Sequence, residues 1–105
     1  MTHEEVMAMM AELKIPFAYH HFAEGEAVEP PFACFLYPYE DSFGADNIVY
    51  YQSPIMDLEI YTDAKNPDLE TAVEAVLTAH ELYYEKTEVW IESEMLYEIL
   101  YEVTL

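Results

Sequence analysis

The sequence predicts an α+β domain in which two helices pack on a mostly antiparallel sheet, in the order helix, strands, helix, strands. Two segments have apolar residues at helical spacing, which predicts helices. In several other segments apolar and polar residues alternate, or both faces are apolar, which predicts strands, and turn residues separate these segments. The chain has 105 residues, of which 53% are hydrophobic, and this supplies one core but no second one. We therefore expect a single domain over residues 1–105.

The first helix is predicted from the signals at its start. Thr2 and Glu5 have the spacing of a capping box, in which each side chain satisfies a free backbone N–H of the other residue. Pro16 is expected to close the helix, because the residue before a proline is pushed out of the helical conformation. The apolar stripe of this helix consists of Val6, Met9, Met10 and Leu13.

The next part of the chain predicts strands and acidic turns. Residues 17–22 form a short extended run, and residues 24–31 form a loop that contains glycine and prolines. Residues 32–39 are almost all apolar or aromatic, which indicates a strand covered on both faces, by the protein's own helix and by a second element that could be a partner subunit. A second acidic turn is expected at 40–47. Residues 48–62 are compatible with one long strand or two short ones, because a Ser-Pro pair interrupts them. After this pair, apolar residues alternate with polar ones or tyrosine, which predicts a strand with one face in water: Met56, Leu58 and Ile60 against Asp57, Glu59 and Tyr61.

The second helix has the clearest boundary signals. Asn66 is a suitable N-cap, Pro67 suits the first helical position, and two acidic residues lie in the first turn, where the helix dipole favours anions. Residues 84–91 then predict a strand, 92–95 a turn, and 97–105 a strictly alternating strand. The buried stripe of the helix is predicted to contain Leu69, Val73, Val76, Leu77 and His80.

The charge of the chain excludes several functions. Twenty-two acidic residues stand against three lysines and no arginine, giving a net charge of −19. Direct high-affinity binding of nucleic acid and of anionic membranes needs a basic surface that three lysines cannot supply. No apolar run approaches the roughly 18 residues of a membrane span, and the acidic start predicts no export signal. So high a charge often accompanies disorder, but ten tyrosines and the hydrophobic content predict a folded chain.

The sequence predicts no catalytic centre, no metal site and no cofactor. His20 and His21 are adjacent on a predicted strand, so their side chains should point to opposite faces. His3 and His80 lie on different helices, and no zinc-type spacing is present. Cys34 is the only cysteine, which excludes an internal disulfide, and no basic neighbour is present to activate it. We therefore expect a protein that is not an enzyme.

The surplus of aromatic residues on charged elements predicts an interaction surface. Tyrosine suits interfaces, because its ring is buried while its hydroxyl finds a polar partner. The alternative is that these tyrosines lie on sheet faces with their hydroxyls in water. The candidates for a subunit interface are Phe35, Tyr37, Tyr39, Tyr51, Tyr61, Tyr84 and Trp90.

Five stretches carry a resemblance to a known group of proteins. They are residues 15–22 (IPFAYHHF), 30–32 (PPF), 36–38 (LYP), 60–63 (IYTD) and 84–94 (YEKTEVWIESE). Together they resemble small acidic proteins encoded in prophages of Gram-positive gut bacteria, where such genes lie among head–tail joining and tail genes. The likeness extends along nearly the whole chain.

The element order and length are also similar to the tail-terminator, or tail-completion, proteins of long-tailed phages. This resemblance implies a hexameric ring that caps the tail tube and contacts neighbouring tail or connector proteins, first in the bacterial host cytoplasm and then in the virion. It implies subunit pairing through the strand at 32–39, and loops facing the lumen at 24–31 and 40–47. A lumen lined by carboxylates would repel DNA phosphates and let the DNA slide. The acidic loop candidates are Glu24, Glu26, Glu29, Glu40, Asp41 and Asp46.

A DNA mimic that inhibits a nuclease or a DNA-binding protein is the alternative function. Its motivation is the same net charge of −19. The spread of acidic residues over all elements argues against it, because a mimic displays its charges on one surface. The carboxylates that would imitate a phosphate track are Glu85, Glu88, Glu92, Glu94, Glu98 and Glu102.

Overall fold

The computed structural model of the protein describes residues 1–23, 25–26, 28–38 and 55–105. Within these residues, helices and strands follow each other in the predicted order, which confirms the α+β class. They are α1 (His3–Ala11), β1 (Phe17–Tyr19), β2 (Phe32–Leu36), β3 (Ile55–Thr62), α2 (Pro67–Ala79), β4 (Tyr83–Ile91) and β5 (Leu96–Thr104).

The strands form one five-stranded sheet over the described part of the chain, with the spatial order β1-β2-β3-β5-β4. β1 and β2 are parallel, and the other three neighbouring pairs are antiparallel. β5 lies between β3 and β4, so the unit β3-α2-β4 is a β-α-β unit split by an inserted strand. The edges of the sheet are therefore β1 and β4.

The strand register divides the sheet into two faces. The inner face packs against both helices, and the outer face carries the alternate residues of each strand. In β3, buried residues alternate with half-buried ones along the whole strand, which confirms the alternation predicted for it. The core consists of Val6, Met9 and Met10 of α1, Val73 and Leu77 of α2, and Ala33, Phe35, Met56, Leu58, Ile60, Ile99, Tyr101 and Val103 of the sheet.

The start of α1 is confirmed, whereas its end is not. Thr2 and Glu5 form the complete capping box, with both reciprocal hydrogen bonds present. The helix ends at Ala11, earlier than Pro16 predicts, because the backbone N–H groups of Leu13 and Lys14 bond to carbonyls three residues back instead of four. Lys14 then adopts a left-handed conformation with φ of 60°. Leu13 consequently lies beyond the helix, where it still packs against the core.

The predicted start of α2 is confirmed at the level of single hydrogen bonds. The Asn66 side chain accepts a hydrogen bond of 3.1 Å from the backbone N–H of Leu69, and Pro67 takes the first helical position. At the other end, Nε2 of His80 donates to Oε2 of Glu12 over 2.8 Å. This bond joins the ends of the two helices. Neither helix of the described residues is long and apolar enough to cross a membrane.

The strands are shorter than predicted in the first half of the chain. β1 ends at Tyr19, because His20 has a φ of 73° and turns the chain away from the sheet. β2 ends at Leu36. The predicted turn at 40–47, and the choice between one and two strands before residue 55, lie outside the described residues.

Candidate functional site

The outer face of the sheet carries a row of carboxylates. Asp57 of β3 lies directly opposite Glu102 of β5, and Glu102 lies directly opposite Glu85 of β4. Glu59 and Glu98 belong to the same face, and we call these five residues the acidic face. Like charges directly opposite each other on neighbouring strands destabilise a sheet. Packing therefore does not explain why this row is acidic.

The pKa values of two carboxyl groups of the acidic face are raised. Burial, together with the neighbouring Glu98, raises the pKa of Glu59 to about 7. Burial and the charges of Glu102 and Glu98 likewise raise the pKa of Asp57. The hydroxyl of Tyr61 donates to Oε1 of Glu59 over 3.4 Å. Near neutral pH, Glu59 is consequently divided between its acid and its carboxylate forms.

A cavity of about 580 Å³ opens on the outer face beside β2 and β3. Its lining comes from three parts of the chain: the strands β2 and β3, the segment that follows β1, and the end of β4 with the turn after it. The strands contribute Phe32, Cys34, Glu59 and Tyr61, the segment contributes His20, His21, Phe22, Glu26 and Val28, and the end of β4 and the turn contribute Ile91 and Glu94.

Aromatic rings form one part of the cavity lining. The rings of Phe32 and Tyr61 stack with centroids 5.0 Å apart and an angle of 22°. Phe22 approaches Phe32 edge-on, at 5.6 Å. The sequence predicted that β2 is covered on both faces, and the chain's own Phe22 segment supplies part of the outer cover.

The two adjacent histidines lie together, which contradicts the prediction that they point to opposite faces. His20 has left β1, so the alternation of a strand no longer applies to it. Nδ1 of His20 and Nδ1 of His21 are 3.4 Å apart, and a hydrogen bond between them requires one ring to accept and therefore to be neutral. Both rings line the cavity. In the described part of the chain, no three His, Cys, Asp or Glu side chains meet as ligands for a metal ion.

Cys34 is buried next to the cavity and is unsuited to nucleophilic chemistry. Burial, and then the charge of Glu59, raises the pKa of the Cys34 thiol. A raised pKa disfavours the thiolate, which is the reactive form. This agrees with the sequence, in which no basic neighbour is present to activate Cys34.

Three of the predicted interface residues make contacts within their own chain. Phe35 has no exposed surface and lies in the core, so its side chain is not available to a second subunit, and we correct that assignment. The hydroxyl of Tyr37 lies 2.8 Å from Nδ1 of His3 on α1. Tyr84 is half-buried and packs edge-on against Tyr101, with ring centroids 5.5 Å apart.

Two other predicted interface residues lie on accessible parts of the sheet. Tyr61 lines the cavity on the outer face. Trp90 lies on β4, contacts the Tyr97 ring at 4.7 Å between centroids, and remains exposed. Tyr39 and Tyr51 lie outside the described residues.

The predicted acidic loops are described only in part. Glu26 and Glu29 are exposed, and Oε1 of Glu26 accepts a hydrogen bond of 3.1 Å from the backbone N–H of Ala23. Glu26 also lines the cavity, a position that the sequence does not predict. The remaining candidates Glu24, Glu40, Asp41 and Asp46 lie outside the described residues.

β4 is a nine-residue edge strand that pairs with β5 on one side. Its exposed side chains include Tyr83, Val89 and Trp90, with exposed fractions of 67%, 53% and 44%. An edge strand presents a row of unpaired backbone N–H and C=O groups along its free side. The opposite edge, β1, has only three residues.

Two of the three lysines join α2 to the inner side of β4. Nζ of Lys86 lies 2.6 Å from Glu70 and 2.7 Å from Glu74. Lys65 is paired with Glu88 of β4 and lies 3.6 Å from Glu70. These contacts use the scarce positive charges of the chain to hold a helix to the edge strand.

Comparison with protein-family models, with curated proteins and with solved structures finds no match to this chain. Two features of the described residues bear on the function. The long free edge of β4 is able to pair with another strand. The cavity combines aromatic rings with carboxylates on the outer face.

Proposed function

We propose that the protein is a non-enzymatic structural subunit that associates with further copies of itself through β4. More specifically, we propose that the copies form a ring like that of the tail-terminator proteins, at a phage tail or a head–tail junction. The tail-terminator ring is a hexamer. The protein's location would be the host cytoplasm during assembly and then the virion. The single observation that carries the proposal is the nine-residue edge strand β4 with its exposed aromatic and aliphatic side chains.

Proteins usually keep exposed edge strands short, place charges or a proline on them, or cover them, because a free edge templates pairing with other chains. β4 has nine residues without a proline and exposes Tyr83, Val89 and Trp90. It also carries Glu85, Lys86 and Glu88, but Lys86 and Glu88 are engaged in ion pairs within the chain. Backbone pairing along this edge would supply main-chain hydrogen bonds, and the exposed side chains would supply apolar contacts. A contact between unlike surfaces of identical subunits closes into a ring when the rotation permits.

The charge distribution is compatible with a conduit for DNA. The exposed loop residues Glu26 and Glu29 and the acidic face present carboxylates at the surface, and these repel phosphates. The same charge opposes assembly, because each copy carries −19. We therefore expect association to strengthen as salt shortens the range of the repulsion, from about 30 Å at 0.01 M to about 8 Å at physiological ionic strength.

Light scattering coupled to size exclusion, over a range of protein and salt concentrations, tests the proposal. We expect a defined oligomer at high salt, and rings on electron-microscope grids. Val89→Lys should return the protein to the monomer, although the added positive charge lowers the net repulsion. Met7→Lys, at an exposed position of α1, makes the same charge change away from β4 and should leave the oligomer intact. A monomer under all conditions would contradict the proposal.

The row Asp57, Glu102 and Glu85 favours the alternative function, a DNA mimic. Of the carboxylates predicted to form a phosphate track, Glu85, Glu98 and Glu102 share the outer face. Glu88 lies on the inner side and pairs with Lys65. The track is thus divided between two faces, which supports the structural proposal over this one.

Retention of nucleases or DNA-binding proteins from a bacterial lysate, followed by inhibition assays with the purified enzyme, tests the alternative. Glu102→Gln should weaken inhibition by a mimic, and Glu88→Gln on the inner face should not. Equal effects of the two substitutions, or an absence of inhibition, would contradict this function.

A further inference from the structure

We infer that the cavity beside β2 and β3 binds the guanidinium group of an arginine that a different protein presents. The cavity combines aromatic rings and carboxylates in a volume of about 580 Å³. This volume lies within the range of about 300–1,000 Å³ that is typical of ligand pockets. The inference goes beyond the proposed self-assembly, because it concerns the outer face of the sheet and a partner of another kind.

The aromatic part of the cavity suits a weakly hydrated, planar cation. Phe32 and Tyr61 stack at 5.0 Å, and Phe22 approaches at 5.6 Å, so that three rings come together on one side. A guanidinium group is attracted to aromatic rings by their quadrupole and is less strongly hydrated than an ammonium group. These rings therefore favour arginine over lysine.

The acidic part supplies the counter-charge. Glu26, Glu59 and Glu94 all line the cavity, and Glu59 is the least exposed of the three. A guanidinium can donate two parallel hydrogen bonds to one carboxylate. Burial disfavours the charge of Glu59, and a guanidinium bound beside its carboxylate would offset that cost.

A second copy of this chain cannot supply the ligand. The sequence contains no arginine and only three lysines. Lys65 and Lys86 are paired with glutamates between α2 and β4, on the other side of the sheet from the cavity. The arginine must therefore come from a different protein, whose basic surface would complement the net charge of −19.

NMR titration of the isotope-labelled protein with short capped peptides tests the inference. The probes are Gly-Gly-Arg-Gly-Gly, the same peptide with lysine, and the same peptide with citrulline, which has nearly the shape of arginine without its charge. N-acetyl-arginine amide represents a free guanidinium compound. The titration is made at a concentration where light scattering gives the monomer mass, so that it does not depend on assembly through β4.

We expect the arginine peptide to shift resonances of Phe22, Phe32 and Tyr61, and to bind more tightly than the lysine and citrulline peptides. Glu59→Gln should weaken binding of the arginine peptide by about tenfold or more, since it removes a charged hydrogen-bond acceptor. Glu85→Gln removes one charge from the same face outside the cavity and should change the affinity by less than about twofold.

Three results would overturn the inference. Equal binding of the arginine and lysine peptides, together with equal effects of the two substitutions, would indicate diffuse attraction to an acidic protein. Binding of the citrulline peptide as tightly as the arginine peptide would exclude recognition of charge. Binding of N-acetyl-arginine amide much more tightly than the peptide would show that the cavity excludes the flanking chain, and would contradict the assignment to a protein partner. The spectra of the variants also report whether each one is folded.

Discussion

Glu59 couples the ionisation of the outer face to folding. Its carboxyl group lies among Asp57 and Tyr61 of its own strand, Glu98 of β5 and Cys34 of β2. Its folded-state pKa of about 7 lies above the ordinary value of 4.5, so the folded protein binds a proton that the unfolded chain has released. Its effect is therefore to make the free energy of unfolding fall as pH rises from about 4.5 to about 7.

Glu59→Gln should remove this loss of stability. After allowance for solvent screening, we expect the variant to gain about 1–2 kcal/mol in the free energy of unfolding at pH 8, and little at pH 4.5. Urea unfolding of the variant and the parent protein at pH 4.5 and pH 8 measures the difference in the free energy of unfolding at each pH. Glu29→Gln, at an exposed loop position, serves as the control. A variant with the same pH dependence as the parent protein would show that Glu59 is not the group responsible.

Lys86 is the centre of the contact between α2 and β4. The carboxylates of Glu70 and Glu74 raise its pKa to about 12, and Lys86 in turn lowers the pKa of Glu74. The hydroxyl of Tyr101 donates to the same Glu74 carboxylate over 2.8 Å. A lowered carboxyl pKa contributes stability above the ordinary value of 4.5, and this contribution is lost as pH falls through the lowered value.

Lys86→Met should therefore destabilise the protein at pH 7 and have less effect at acid pH. Because the Lys86 side chain is 36% exposed, we expect a loss of only about 0.5–1 kcal/mol. Lys14→Met removes the same charge from a position after α1 and corrects for the change in net charge. Equal losses in the two variants at pH 7 would assign the effect to net charge rather than to the contact.

The helix and strand boundaries show which parts of the fold are encoded locally. The capping box at Thr2, the N-cap at Asn66 and the alternation of β3 are visible in the sequence, because each depends on residues only a few positions apart. The parallel pairing of β1 with β2 and the insertion of β5 are not visible. Alternation specifies which face a residue occupies, but it does not specify which strand lies beside it.

The cavity cannot be predicted from the sequence, for a related reason. The left-handed conformation of His20 turns the chain out of β1 and brings the following segment over the outer face. A histidine in a run of aromatic residues gives no periodic signal for such a turn, and its φ of 73° is uncommon for a residue other than glycine. In the sequence, Tyr61, Glu26 and Glu94 are candidates for other roles. Phe22, Phe32 and Glu59 carry no sequence signal of a site.

Capping of α1 provides a test at the scale of one element. Thr2→Ala removes the side chain that accepts from the Glu5 backbone, and we expect a loss of about 1 kcal/mol. Thr71→Ala, at an exposed position inside α2, is the matched control and should be neutral or slightly stabilising, because alanine favours helix interiors. Thermal unfolding of both variants measures the difference. A Thr2→Ala variant as stable as the parent would mean that packing alone holds α1.

Salt should weaken the repulsion between the carboxylates of the molecule and so stabilise it. Two directly opposed pairs, Asp57 with Glu102 and Glu102 with Glu85, add to the general repulsion of a net charge of −19. Raising sodium chloride from about 0.02 M to about 0.5 M should increase the free energy of unfolding by about 1 kcal/mol or more. Glu102→Gln removes one member of both pairs and should reduce this increase, whereas Glu4→Gln on α1 should reduce it less. Stability independent of salt would contradict the expectation.

The position of β5 makes the domain an all-or-none unit in folding. β5 follows β4 in the chain and yet separates it from β3, so β4 has no place in the sheet until residues 96–104 have paired with residues 55–62. No half of the sheet can form around α2 with β5 absent. We therefore expect a single cooperative unfolding transition, and amide protons of β5 that exchange only when the whole domain opens.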